Sequence, residues 1–172
     1  ILSFNGNKII TTGGGGALMT DDKEIARRAK HLTTTAKKPH PWLFLHDQIG
    51  YNYRLPNINA ALGCAQMEQL PTFVNKKRKL ARQYRNWFAE RDQEFVSEPS
   101  GAASNYWLNS IVLANIDERD EFLTFTNSRN VMTRAMWTPM HTLPMYRGCY
   151  RTDLSNTEAI EKRLVNIPSS VV

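Results

Sequence analysis

Cysteine is scarce in this chain: Cys64 and Cys149 are the only two among 172 residues, and they stand far apart. No metal-ligand spacing surrounds them, which excludes a thiolate metal site and leaves an idle or buried thiol as the expected role of each, as suits a reducing compartment. His31, His40 and His46 show no metal spacing either. There is no apolar run of membrane-spanning length, no secretory leader pattern, no internal repeat and no low-complexity tract, so the expectation is a soluble cytoplasmic protein without membrane contacts. An initiating methionine is also missing. The chain opens at Ile1-Leu2-Ser3-Phe4 and closes at Ile167-Pro168-Ser169-Ser170-Val171-Val172, and both ends read as parts of something longer.

What is present is a composition with 41% hydrophobic residues, enough to bury a core. Lysine and arginine number 22 against 16 aspartates and glutamates, a net charge of +6 that would favour nucleotides, phosphates or acidic partners. Much of the excess is local, in Asn75-Lys76-Lys77-Arg78-Lys79-Leu80-Ala81-Arg82-Gln83-Tyr84-Arg85. That run, with Trp87 nearby, could be the contact surface of a nucleic-acid-binding module. Against this, Leu80, Tyr84, Trp87 and Phe88 share one helical face with the cations around it, the pattern of a packed surface helix, and no nucleic-acid-binding signature accompanies it.

Along the chain, two short strands are expected at Lys8 to Thr12 and Ala17 to Thr20, joined by four glycines able to take positive φ. Gly13 to Gly16 could cradle a phosphate, but no Gly-Lys-Ser/Thr follows and the next segment reads as a strand. Asp21 and Asp22 open a helix from Lys23 to Leu32, and Thr33 to Tyr53 is irregular, interrupted by Pro39, Pro41 and Gly50. A helix from Asn57 to Leu70 follows, then Pro71 as a kink or restart, then a charged helix from Thr72 to Arg91. Beyond it come a strand over Tyr106 to Ala114, a helix from Glu118 to Ser128 opened by Asp117, a strand over Val131 to Thr138 and a helix from Thr157 to Leu164. That order suits a small α/β domain.

Lys8 is the residue with the most chemical potential. A lysine amine loses its proton readily when desolvated or placed near another cation, and it then adds to aldehydes. Taken alone, Lys8 reads more readily as a solvated lysine opening a hairpin. Its surroundings decide the matter: Ser3-Phe4-Asn5-Gly6-Asn7-Lys8-Ile9-Ile10-Thr11-Thr12-Gly13-Gly14-Gly15-Gly16-Ala17-Leu18-Met19-Thr20-Asp21-Asp22 resembles the lysine segment of the DegT/DnrJ/EryC1/StrS sugar-nucleotide aminotransferases. His46 to Gly63, containing Gly50-Tyr51-Asn52-Tyr53-Arg54-Leu55-Pro56, resembles the family's second signature at a matching distance. A weaker likeness continues through Asn105-Tyr106-Trp107-Leu108-Asn109 and Trp137-Thr138-Pro139-Met140-His141, so it covers essentially the whole chain.

The resemblance implies an α/β protein, the C-terminal part of a fold-type I transferase that uses pyridoxal 5'-phosphate. Residues 1–90 would supply the end of the large cofactor-binding domain with its connecting helices, and residues 91–172 a small α/β domain. The wording looks closest to enzymes that aminate C4 of nucleotide-linked 4-keto-6-deoxy sugars, of the perosamine, bacillosamine and legionaminic type, for surface polysaccharide or glycan biosynthesis. The implied substrates are a nucleotide sugar and an amino donor, glutamate. The implied assembly is a homodimer with shared active sites, binding no nucleic acid.

Residue by residue, the resemblance makes Lys8 the catalytic lysine that holds the cofactor as a Schiff base and then moves a proton during transfer. Ser3 corresponds to a serine that hydrogen-bonds the cofactor phosphate, and Asn52 to an asparagine that reaches that phosphate from the neighbouring subunit. Arg54 is a candidate clamp for a substrate phosphate or the donor's carboxylate, since a guanidinium can grip either through two bonds; a surface or interface ion pair suits it equally. His141 falls in a stretch that resembles the small-domain loop approaching the sugar nucleotide, and a packed histidine without a ligand is its other reading. The phosphate loop, the stacking aromatic and the aspartate that pairs with the pyridine nitrogen cannot be placed in these residues. This chain alone is therefore expected to be inactive, and it could serve as an oligomerising or structural module.

Overall fold

The computed structural model describes residues 1–171, which fall into two compact units divided after Pro71. In the first unit, β1 (Leu2–Ser3) pairs antiparallel with β2 (Gly16–Ala17), Ser3 facing Gly16. Lys8 to Thr12 is not a strand; it lies on the long loop joining β1 to β2. The backbone is drawn off any ladder because Thr11 and Thr12 bond elsewhere: the Thr12 N–H and the Thr11 hydroxyl both donate to the Phe4 carbonyl, each at 3.0 Å. Gly16 is required by the close approach of β1, since a Cβ there would stand 2.4 Å from the Leu2 carbonyl oxygen.

Helix α1 (Lys23–Thr33) begins where the aspartates predict: the Asp22 carboxylate accepts from the Glu24 and Ile25 N–H groups at 2.8 and 3.1 Å. The segment expected to be irregular contains a small hairpin, β3 (Lys37–Lys38) against β4 (Leu45–His46), whose tip exposes Trp42 and Phe44. Two side chains secure its base: His31 Nε2 meets Asp47 Oδ1 at 2.7 Å, and His46 Nδ1 meets the Thr35 carbonyl at 2.7 Å. The His31 hydrogen bond holds the Asp47 carboxyl below the usual carboxylate range.

Helix α2 (Asn57–Phe88) is one helix of 32 residues that passes through Pro71 without the expected restart. A proline inside a helix removes one backbone hydrogen bond and costs about 3 kcal/mol, which side-chain contacts on either side of it help to offset here. The residues before Pro71 hold the lysine loop, and those after it carry Ala81, Tyr84 and Phe88, which pack in the core of the second unit.

That core is built on a four-stranded sheet in the order β5 (Glu94–Phe95), β6 (Asn109–Val112), β8 (Leu164–Ile167), β7 (Arg134–Ala135), antiparallel throughout. The Tyr106–Ala114 and Val131–Thr138 strands are thus shorter than their patterns suggest. β8 begins at Leu164, where a helix was expected to end; helix α4 covers Ser155–Glu161 instead. Helix α3 (Ile116–Asn127) starts two residues earlier than Asp117 would place it, because the Asn115 side chain caps the Glu118 N–H at 2.9 Å. Phe95, Tyr106, Ile111, Leu113, Val165 and Ile167 form the buried cluster.

Lys77, in the middle of the basic run, faces this core. Its ammonium donates to the Trp107 carbonyl at 3.0 Å and the Ser169 carbonyl at 2.7 Å. Those residues lie two positions beyond the last β6–β8 pair, Asn109 with Ile167, so the lysine closes the end of the ladder. Ser169 assists, its hydroxyl accepting from the Asn109 N–H at 2.8 Å and donating to the Ile167 carbonyl at 2.8 Å. Arg78 is engaged too, bidentate with Glu98 at 2.8 and 2.9 Å. The basic run is therefore not a continuous cationic stripe. Trp87, assigned by pattern to the packed face, is instead 54% exposed, with the Arg91 guanidinium 3.4 Å above its ring. Among the described residues no helix is long and apolar enough to cross a membrane, and no cluster of His, Cys, Asp or Glu could hold a metal ion.

Candidate active site

The loop that carries Lys8 is held at both ends and along its length. At its start, a turn brings the Lys8 N–H to the Asn5 carbonyl at 3.0 Å, and the Ser3 hydroxyl receives the Asn5 N–H at 3.4 Å. Ser3, on β1, and Lys8 thus flank one tight turn, Lys8 half-buried and Ser3 exposed. At its end, the Phe4 N–H donates to the Gly15 carbonyl at 3.0 Å, in a glycine run where Gly13 and Gly15 take φ of 78° and 102°.

Between these ends, the loop rests on one face of α2. Asn59 Nδ2 donates to the Thr12 carbonyl at 2.5 Å, the Thr11 N–H donates to Gln66 Oε1 at 3.3 Å, and Gly63 lies opposite Thr12, where a Cβ would stand 3.0 Å from the Thr12 methyl. Positions 59, 63 and 66 recur at helical spacing, two amide side chains flanking a gap that receives a buried threonine. Sequence reasoning did not assign these residues. The available signal was the placement of two amides and a glycine on one side of an otherwise apolar helix start.

Asn52 and Arg54 are brought together directly: the Arg54 guanidinium donates to Asn52 Oδ1 at 2.8 Å and to the Thr34 carbonyl at 3.2 Å. Their segment runs beside the end of α1, with Tyr51 and Tyr53 N–H groups bonding to Leu32 and Thr33 carbonyls at 2.7 and 2.9 Å. Gly50 permits the approach, since a Cβ there would meet the Ala36 nitrogen at 2.5 Å. The Tyr51 and Tyr53 rings stack at 5.1 Å. Both Asn52 and Arg54 remain exposed, and among the described residues no carboxylate pairs with Arg54. A cleft of about 700 Å³ in the same unit is walled by Leu2, Gly15, Leu18, Tyr53, Arg54 and Asn59; Lys8 and Ser3 are not among its walls.

His141 belongs to the second unit, in a short 3-10 turn over Met140–Thr142. Its Nε2 meets Glu158 Oε1 of α4 at 2.8 Å, and its side chain is 13% exposed. Packing was one of the two readings of this histidine; its carboxylate partner, Glu158, was not indicated by the sequence pattern.

Comparison with known structures places this arrangement in a class. Aminotransferase TlmJ from Streptoalloteichus hindustanus superposes with a TM-score of 0.89 at 26% identity, over 97% of this chain and 45% of that one. Helicobacter pylori PseC, an aminotransferase of pseudoaminic acid biosynthesis, gives 0.87 at 22% identity, over 96% and 46%. The fold is therefore the α/β fold of the fold-type I sugar aminotransferases. The chain belongs to the DegT/DnrJ/EryC1/StrS aminotransferase family, whose model it matches over residues 1–171.

Among curated relatives, GDP-perosamine synthase of Escherichia coli O157:H7 is 37% identical over 167 residues, 97% of this chain and 45% of that protein. GDP-perosamine synthase of Vibrio cholerae is 35% identical over 173 residues, 97% of this chain and 46% of that protein. This chain thus spans less than half the length of the curated relatives it matches. The family depends on pyridoxal phosphate. The residues present fit that group: a primary amine on a loop fixed at both ends, and a hydroxyl donor across the turn from it.

Proposed function

We propose that the protein to which this chain belongs transfers an amino group, with glutamate as donor, to a nucleotide-linked 4-keto-6-deoxy sugar for polysaccharide or glycan biosynthesis. The observation that carries this reading is the family match over residues 1–171, which includes the Lys8 loop and the Asn52–Arg54 segment. Residues 1–90 form the end of the large domain with its connecting helices, residues 91–172 the small domain, and the protein works in the cytoplasm as a homodimer.

Pyridoxal phosphate, when bound, supplies the electron sink that makes the C–H bond beside the transferred nitrogen acidic. Lys8 would hold the cofactor covalently through its amine. Once free, the same amine would act as the base that takes up and returns the proton of the substrate carbon. Its loop, tied to α2 through Thr11 and Thr12, keeps that amine at a constant reach in both roles. The Ser3 hydroxyl donates to the cofactor phosphate, and Asn52, released from Arg54 or sharing it, reaches the phosphate of the neighbouring subunit's site. Arg54 clamps a substrate phosphate or the donor's carboxylate, and His141 approaches the nucleotide sugar.

The test is Lys8→Ala in the intact protein. Loss of both transamination and the visible absorbance of the lysine-bound cofactor is expected, and an unchanged spectrum would remove Lys8 from the role. Formation of 2-oxoglutarate in step with amino-sugar product checks the donor. Mixed dimers of Lys8→Ala and Asn52→Ala subunits check the shared site: recovered activity supports it, and none speaks against it.

A further inference from the structure

Three arginines converge on a recess of about 200 Å³ in the second unit, lined by none of the residues given a part in the reaction above. Arg78, Arg82 and Arg85 follow one another by four and three positions, on one face of α2, with the buried Ala81 between them as a small floor. Glu98 and the buried Tyr106 ring complete the walls. Arg78 is fully committed. Its guanidinium grips both Glu98 oxygens and the Ser104 carbonyl, Glu98 Oε2 receives the Ser104 N–H at 2.6 Å, and the Tyr106 hydroxyl receives the Glu98 N–H at 3.2 Å.

This network neutralises Glu98 and fixes the recess in shape. Arg82 and Arg85 have no hydrogen bond or ion pair among the described residues, although Arg85 lies close enough to help hold the Glu98 carboxyl below its usual range. Like charges three and four residues apart on a helix repel one another. With only one carboxylate against three guanidiniums, the recess carries an uncompensated double positive charge beside a rigid aromatic wall. A planar guanidinium pairs with a phosphate through two parallel bonds, and two of them side by side match a dianion.

We propose that this recess binds a phosphate-bearing anion, with Arg82 and Arg85 as its grips and the Arg78–Glu98 pair as a fixed neutral floor. None of Lys8, Ser3 and Asn52 lines the recess, and the proposal does not depend on the reaction proposed above. Its anion is either free phosphate or pyrophosphate, or the diphosphate of a nucleotide.

Calorimetric titration of inorganic pyrophosphate into the intact, cofactor-saturated protein tests it. Binding is expected at low salt and should weaken steeply as ionic strength rises from about 0.05 to about 0.5 M, since the grips are exposed. The double substitution Arg82→Gln, Arg85→Gln should weaken it by about tenfold or more, while each exposed position leaves the melting temperature unchanged. A parallel titration with GDP separates the sources: loss of GDP binding in the double variant points to a nucleotide, and loss of pyrophosphate binding alone to the free anion. Equal affinity in wild type and double variant, no binding at low salt, or equal affinity for malonate would each overturn the proposal.

Discussion

Asn59 Nδ2 lies 2.5 Å from the carbonyl oxygen of Thr12, and this contact ties the lysine loop to the first turns of α2. The amide does more than satisfy a carbonyl. Thr12 is buried and sits four residues after Lys8, so its position limits where the lysine amine can go.

Asn59→Ala should destabilise the protein by about 1–2 kcal/mol, the loss of a part-buried hydrogen bond that leaves a carbonyl unpaired. Asn59→Asp should do more harm, because a carboxylate would face that carbonyl with no donor. Chemical denaturation gives the stabilities, and hydrogen exchange at Thr11 and Thr12 should rise in both variants. Stability of both variants equal to that of the wild type would show that the amide's donor role is unimportant.

The glycine run should respond unevenly to alanine. Gly14→Ala should be neutral, since nothing lies within 4 Å of the added Cβ. Gly16→Ala should destabilise by about 1–3 kcal/mol, because its Cβ would collide with the Leu2 backbone and force β1 and β2 apart. In the intact protein the same change should lower kcat by moving Ser3 and the lysine loop. Thermal melts of the two variants provide the comparison, and similar values would contradict the register of β1 against β2.

Lys77 makes a prediction of unusual sign. Burial lowers its pKa below 10.5, so between the lowered value and 10.5 the unfolded chain binds a proton that the folded chain does not. The Lys77 contribution to unfolding free energy should therefore rise as pH increases through that window. Lys77→Met should abolish this rise and, by leaving the Trp107 and Ser169 carbonyls unpaired, destabilise the unit by about 1–3 kcal/mol near neutral pH. Urea titrations across alkaline pH measure both.

Glu98 acts at the acid end. The hydrogen bonds from Arg78, then that from Ser104, hold its carboxyl below 4.5, so its contribution is present above 4.5 and is lost as pH falls through the lowered folded value. Glu98→Gln should flatten the acid limb of the stability profile without altering the alkaline limb. A profile that keeps its acid slope would assign that slope to other carboxylates.

Several parts of this structure were legible before any coordinates. Asp22 announces α1 because a cap is a local interaction between one side chain and two nearby N–H groups. The helical character of Asn57 to Phe88 follows from its spacing, and Lys8 stands out through its neighbours. The Asn52–Arg54 contact was half legible: the two residues share a motif, but nothing in it says that one would bind the other.

The remainder depended on partners distant in sequence. Proline propensity argued for a break at Pro71, and the helix continues because its two halves are anchored by different tertiary contacts. Leu164 read as a helix end, yet pairing with β6 on one side and β7 on the other makes its segment an inner strand. Lys77 looked like one more surface cation until the ends of β6 and β8 presented it with two carbonyls. The sequence by itself determined the family, the identity of the candidate lysine and the helices, because these rest on motifs and short-range periodicity. Only the tertiary structure decided which side of α2 holds the lysine loop, where the sheet strands end and which basic residues are spent inside the fold, because each requires a hydrogen-bond partner tens of residues away.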